Sequence, residues 1–256
     1  MSRINWLLIL CFPHGGSTAF AKTLLTAEGA ISLTPRAEGH GLVPEMRAAK
    51  RRWDPSYVLD YDHIREVWRN RASKSCGPNG QVTVIEKSPP NMVRYKAMLR
   101  SLSPDNTNLV TFSRDPYAVI ARWAKKTPER IAEQWGWPAS EPENQDEFFG
   151  ALAEIWVSRA SLLVGALADS VCHVRYEDFC DRPQDILDAL SDQLPVLSTA
   201  HPSCHLKVKD YPTGPIVNMN ERQIADLGPD AIQAISRKLS AARDVLKQLG
   251  YDLRDV

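Results

Sequence analysis

The sequence predicts an α/β fold, a single domain over 1–256 with a central parallel β-sheet flanked by helices and a P-loop-like anion-binding loop after the first strand. Three observations carry this reading. Apolar runs of strand length at 4–12, 81–86 and 108–113 alternate with segments of helical periodicity, the mark of parallel strands joined by crossover helices. A chain of 256 residues can bury most of its apolar surface in one large α/β domain. The first apolar run ends in Pro13-His14-Gly15-Gly16-Ser17-Thr18, a glycine-rich turn entering a helix.

The elements follow in order. Residues 17–27 form the helix after the loop, and 29–44, rich in Gly and Pro, are irregular. Residues 60–72 are helical, with Ile64, Val67 and Trp68 on one face, 81–86 form a strand, and 91–102 form a helix. The strand at 108–113 runs into a helix whose first turn suits Pro116. Residues 127–144 hold Pro128, Pro138, Pro142 and two tryptophans and read as an active-site loop or lid. Residues 146–168 form a long helix whose stripe of Phe149, Leu152, Ile155, Trp156, Leu163 and Leu167 faces the core. A strand ends near Val174-Arg175, and 230–249 form a last helix stopped by Gly250.

The first loop is an anion site by construction. Glycines let backbone approach an anion closely, and the first N–H groups of a helix have no intrahelical partner and point outward along a favourable dipole. Ser17 and Thr18 add hydroxyl donors at that helix start. Two registers compete. Gly16–Thr23 reads G-S-T-A-F-A-K-T, a nucleotide P-loop except that Ala21 replaces its second glycine. The shorter register, Pro13 to Thr18, puts Lys22 a turn inside the helix. Further on, Arg114 stands at a strand's carboxyl end, where parallel sheets bind ligands. Arg122, eight residues later, lies two turns or so into the next helix, and two such guanidiniums can clamp a second phosphate with forked hydrogen bonds.

Together these segments resemble the sulfotransferases that use 3′-phosphoadenosine 5′-phosphosulfate (PAPS). Four motifs carry the resemblance: Pro13 to Thr18, Glu86-Lys87-Ser88-Pro89, Arg114-Asp115-Pro116 and Arg175-Tyr176-Glu177-Asp178-Phe179. The resemblance implies that Pro13, His14, Gly15, Gly16, Ser17 and Thr18 hold the 5′-phosphosulfate, that Arg114 binds the 3′-phosphate with Arg122 in place of the family's Ser, and that Tyr176 packs on the adenine. It also makes Lys87 a cation on the bridging oxygen and places late cofactor contacts at Lys207 and Lys209. His14 departs from the family's Lys or Arg at that position; a neutral imidazole offers one donor and no charge, though a dianion beside it favours protonation.

Sulfuryl transfer needs a base for the acceptor hydroxyl and cations for the leaving phosphate. Lys87 and His14 are the electrophilic candidates, and Glu38 and His40, in the segment after the first helix, are the candidate bases. No metal is expected.

Composition bounds the partners. The 31 basic residues balance the 31 acidic ones, which excludes a broad nucleic-acid footprint. The basic run Arg47 to Arg52 reads as a solvated helix face, with receipt of an anionic acceptor as the alternative. The five scattered cysteines, Cys11, Cys76, Cys172, Cys180 and Cys204, suit a reducing cytoplasm, with Cys11 and Cys172 as buried strand residues. No stretch is read as long enough to span a bilayer. The expected partner is a small-molecule or carbohydrate acceptor. Two other functions stay open: a P-loop small-molecule kinase using Mg–ATP through Gly16–Thr23, and a non-catalytic nucleotide-binding relative.

Overall fold

The computed structural model describes residues 3–48, 51–76, 80–138, 140–202, 206–208 and 212–254. Five strands, β1 (Arg3–Cys11), β2 (Ala30–Ile31), β3 (Gln81–Glu86), β4 (Asn106–Ser113) and β5 (Cys172–Arg175), pair in the order β2-β3-β1-β4-β5, all parallel. Alternation along β1 explains why a continuous apolar run suits this position. Ile4, Trp6, Leu8 and Leu10 enter the core on one face, while Leu7, Ile9 and Cys11 enter the core on the other.

The helices are α1 (Ser17–Leu24), α2 (Tyr61–Ser73), α3 (Tyr95–Leu102), α4 (Pro116–Trp123), α5 (Pro128–Trp135), α6 (Gln145–Ala166), α7 (Tyr176–Asp181), α8 (Pro183–Gln193), α9 (Asn220–Ile224), α10 (Pro229–Ser240) and α11 (Arg243–Gln248). The chain leaves β1 for β2 and β3 on one side, then returns across the sheet to β4 and β5 on the other. The connections therefore reverse direction between β1 and β4, and the crevice above their carboxyl ends is where open α/β sheets bind ligands.

Several elements differ from the sequence reading. Residues 127–144 contain α5: Pro128 sits in its first turn and the Thr127 hydroxyl accepts from Arg130 N–H at 3.4 Å, so the proline starts a helix rather than breaking one. The last helix is two, α10 and α11, separated at Ala241 and Ala242, and Gly250 closes α11 at φ +77°. Residues 89–94 wind as a 3₁₀ turn before α3, with prolines at its first positions. Cys11 is fully buried, whereas Cys172 is half-buried. The segment Gln145–Asp169, α6 and the turn after it, is long and apolar enough to cross a membrane by length and composition, contrary to the expectation above. Its packing is that of a core helix: Leu152, Ala153, Trp156, Ala160 and Leu163 are fully buried, and it packs against α10, α4 and β4.

Candidate active site

Four strand ends face one cavity of about 680 Å³ at the carboxyl edge of the sheet. The loop after β1 supplies Pro13, His14, Gly16, Ser17 and Thr18; Lys87 follows β3, Arg114 follows β4, and Tyr176 follows β5. Glu38, His40 and Arg122 line the same space. Gly15 and Lys207 lie off its wall, although Leu206 and Val208 are on it. Lys209 falls outside the described residues.

The loop is held by its backbone. His14 takes a left-handed conformation at φ +62° and Gly16 one at φ +90°. Gly16 has a second reason to lack a side chain: a Cβ there would meet the Tyr176 ring at 2.4 and 2.6 Å. The Pro13 carbonyl accepts from Trp123 Nε1 at 2.9 Å, and the His14 carbonyl accepts from Arg114 Nη1 at 3.2 Å. Helix α1 begins at once, at Ser17, with no acidic residue in its first turn to occupy its N–H groups. This decides between the two loop registers. Ser17–Leu24 is already helical and Ala21 is packed in the core, so Gly16–Thr23 has no loop to wrap a triphosphate. Lys22 Nζ donates to the Lys207 carbonyl.

Arg114 is 3 % exposed and makes no ion pair with Asp115, which caps α4 by accepting from Ala118 N–H at 3.0 Å and pairs with Arg254. Instead Arg114 Nε donates to Asn220 Oδ1 at 2.8 Å, and Asn220 Nδ2 donates to Glu177 Oε1 at 2.6 Å. Glu177 Oε1 also accepts from Asp115 N–H at 2.9 Å. The guanidinium lies 4.1 Å from the centre of the Tyr176 ring. Its remaining nitrogen, Nη2, is buried with no partner among the described residues. A buried guanidinium with one open donor beside the loop is a receptor for an anion.

Tyr176 is occupied in a way the sequence did not suggest. Its ring covers Arg114 and abuts Gly16, its hydroxyl donates to the Val217 carbonyl at 3.0 Å, and it accepts from Met219 N–H at 3.2 Å. With 5 % of the residue exposed, it positions the arginine and the loop and leaves little surface for an adenine.

At the β3 side, Lys87 is 2 % exposed and its Nζ pairs with Glu38 Oε1, so the candidate cation and one candidate base are joined. The strand neighbour Glu86 is fully buried and turned elsewhere. Its carboxylate accepts from Gly39 N–H at 2.6 Å, Ser88 N–H at 2.8 Å and Asn91 Nδ2 at 3.2 Å, and burial pushes its pKa up to about 7. Gly39 must be glycine for this approach, since a Cβ would stand 2.7 Å from Glu86 Oε2. Glu86 thus fastens the 3₁₀ turn Gly39–Leu42 that carries His40, while Lys87 N–H donates to the Ala37 carbonyl at 2.7 Å. His40 Nδ1 is buried with no partner among the described residues, and burial lowers the pKa of the ring, which favours its neutral form. A neutral imidazole is the form a general base requires.

No protein-family model and no curated protein sequence matches the chain. Solved structures do. The sulfotransferase domain from the curacin biosynthetic pathway superimposes with a TM-score of 0.53 at 16 % identity, over 99 % of this chain and 100 % of that one. The sulfotransferase domain of the Synechococcus PCC 7002 olefin synthase gives 0.53 at 17 %, over 99 % and 98 %. Sulfotransferase STF9 from Mycobacterium avium gives 0.57 at 13 %, over 100 % of this chain and 79 % of its own. The chain has the sulfotransferase fold. Identities this low carry the fold across and not the activity, which rests on the site itself.

The other end of the cavity is formed by Arg52, Trp53, Gln134 and Trp135; sequence reasoning held Arg52 only as an alternative within the basic run and Gln134 and Trp135 only as part of a lid, and it did not single out Trp53. Behind it lies Arg159 of α6, 5 % exposed, with its guanidinium 4.2, 4.8 and 5.1 Å from the ring centres of Trp53, Trp135 and Trp123. The signals for these residues were the basic run Arg47 to Arg52 and the tryptophan pair at 135 and 137 within the segment read as a lid.

Proposed function

We propose that this chain transfers the sulfuryl group of PAPS to a hydroxyl of an acceptor. The observation that supports the reading best is the open Nη2 of Arg114, buried at the β1–β4 switch point beside a helix N-terminus that carries no acidic residue. Two anion receptors at neighbouring strand ends suit a nucleotide with phosphates at two positions. The residues fit it: Gly16 gives the loop a backbone surface without a Cβ, Ser17 and Thr18 add hydroxyl donors, and Arg114 with Arg122 receives the 3′-phosphate.

PAPS supplies the sulfuryl group; the acceptor oxygen forms the new S–O bond as the S–O bond to the 5′-phosphate breaks. Lys87 is placed to stabilise charge on the bridging and leaving oxygens, with Glu38 holding it in position. His14 offers a second donor from the loop. Glu38 or His40 takes the acceptor's proton, and His40 has the stronger claim on geometry, because burial favours its neutral form and its Nδ1 has no partner among the described residues, whereas Glu38 shares an oxygen with Lys87.

Thermal shift tests the reading. A ligand that binds only the folded state stabilises it by about 2.7 kcal/mol at a hundredfold excess over its Kd. 3′-Phosphoadenosine 5′-phosphate should raise the melting temperature without metal, and ATP with magnesium should not. Stabilisation by Mg–ATP alone overturns the proposal in favour of a kinase. Binding of the bisphosphate with no turnover on any hydroxyl acceptor would favour a non-catalytic relative.

A further inference from the structure

A guanidinium taken wholly or partly out of water without an acidic partner is costly, and each one calls for an explanation. Arg52 lines the cavity, and its Nε is buried without a partner among the described residues. Its backbone is fixed from behind, because Arg94 Nη2 donates to the Arg52 carbonyl. Arg159, nearly fully buried, has an Nη1 without a partner among the described residues and packs on the faces of three tryptophans. Burial, with repulsion from Arg52, lowers the Arg159 pKa to about 9, so Arg159 stays cationic at neutral pH, and an arginine such as Arg52 keeps its proton in a protein. The nearest carboxylates acting on Arg52 are Glu133 and Glu38, and no ion pair forms with either among the described residues. Arg47 adds a further positive charge. This end of the cavity therefore has an excess of cation, walled by flat rings and by Pro89 and Pro90.

Its position matters as much as its charge. Arg52 lines the same cavity as His40, Glu38 and the loop after β1, and its charge acts on both candidate bases, so an acceptor presented to either base lies within its reach. We propose that the acceptor is a hydroxyl compound with a flat, apolar body bearing a carboxylate, its charge received by Arg52 and its body laid against the cavity wall of Trp53, Trp135, Pro89 and Pro90. Guanidinium and carboxylate match as a planar fork, and indole faces take a flat ring without a directional hydrogen bond. This inference rests on the sulfotransferase reading for calling the occupant an acceptor, and its binding part stands on the cavity alone.

The test uses matched pairs: hydroxybenzoates and hydroxycinnamates against their methyl esters, titrated into the full chain with tryptophan fluorescence as the readout. Each acid should bind about tenfold to a hundredfold more tightly than its ester, the span expected for one charge-assisted hydrogen bond. Arg52→Gln should abolish that preference while ester binding stays the same, and Arg52→Lys should keep part of it; melting curves confirm that both variants fold. Equal affinity for acids and esters, or no binding of either, overturns the proposal even if sulfuryl transfer is established with another acceptor. Acids that bind as expected but accept no label from PAPS would uphold the binding site and count against the transfer reading.

Discussion

Gly16→Ala isolates the contact that shapes the loop after β1. A methyl group at this position meets two penalties. The backbone stands at φ +90°, where an L-residue is strained by about 1–2 kcal/mol. The new Cβ would also stand 2.4 Å from Tyr176 Cδ2. That ring cannot swing aside, because its hydroxyl is bonded to Val217 and Met219 and its face lies on Arg114. Overpacking of this kind costs about 1–3 kcal/mol. The sum, about 2–5 kcal/mol, is a large part of a typical stability of about 5–15 kcal/mol, and for a chain of this length it lowers Tm by about 4–20 °C. Calorimetry of the parent, Gly16→Ala, Tyr176→Ala and the double variant closes a cycle. The double variant removes the clash but keeps the φ strain, so it should be more stable than additivity predicts by about 1–3 kcal/mol. A Gly16→Ala cost below about 0.5 kcal/mol, or an additive cycle, refutes the argument that Tyr176 sets the loop.

Arg114→Ala should weaken 3′-phosphoadenosine 5′-phosphate by about 1.5–3 kcal/mol and leave the analogue lacking the 3′-phosphate nearly unchanged; calorimetric titration showing equal loss for both makes the residue structural. Lys87→Ala should lower turnover far more than nucleotide affinity, and a parallel fall in both would place its role in binding. Of Glu38→Gln and His40→Ala, one should cost about 10²–10⁴-fold in kcat and the other much less; near-normal turnover in both removes the two residues as bases. Glu86 gives a pH prediction. Its pKa rises from 4.5 to about 7 on folding, so the folded chain keeps a proton that the unfolded chain releases, and this group costs stability progressively as pH rises between those values. Glu86→Gln, neutral throughout, should gain in Tm relative to the parent from about pH 5 to 7, and a pH-independent difference contradicts the burial argument.

The sheet was legible because its signal is local. A strand buried on both faces reads as an unbroken apolar run, as 4–12 does, and a proline after Arg114-Asp115 marks a helix start. The glycine-rich turn after β1 and the positions of Lys87, Arg114 and Tyr176 at three other strand ends were legible because strand ends are fixed once the strands are. What escaped depends on contacts distant in sequence. The partner of Arg114 is Asn220, 106 residues away, and nothing near residue 220 signals it. The cluster of Trp53, Trp123, Trp135 and Arg159 comes from four separate segments. Arg52 stood in a run of arginines and lysines, which ordinarily faces water; here tertiary packing half-buries it and seals its Nε, the outcome the sequence reading had kept only as its alternative. Pro128 misled for the opposite reason: proline both breaks and begins helices, and the cap supplied by Thr127 decides which.

The wiring of Arg114 also explains how an arginine can be buried at a binding site without being neutralised there. A direct Asp or Glu partner would hold it in place but would compete with an incoming anion for its charge. Here the neighbouring amide Asn220 takes Nε, a main-chain carbonyl takes Nη1, and the acidic group of the relay, Glu177, is one hydrogen bond removed. Both direct partners are neutral, so they fix direction while leaving most of the positive field for a ligand. Tyr176 adds a ring face, again without a negative charge. The rotamer entropy of the long side chain is thereby lost on folding rather than on binding, which lowers the cost of capturing an anion at Nη2. Lys87 is wired the other way, paired directly with Glu38, so an anion drawing on its charge must weaken or share that pair. A permanent phosphate suits the first arrangement. Charge that develops only during reaction suits the second, because the pair can loosen as the leaving oxygen becomes negative.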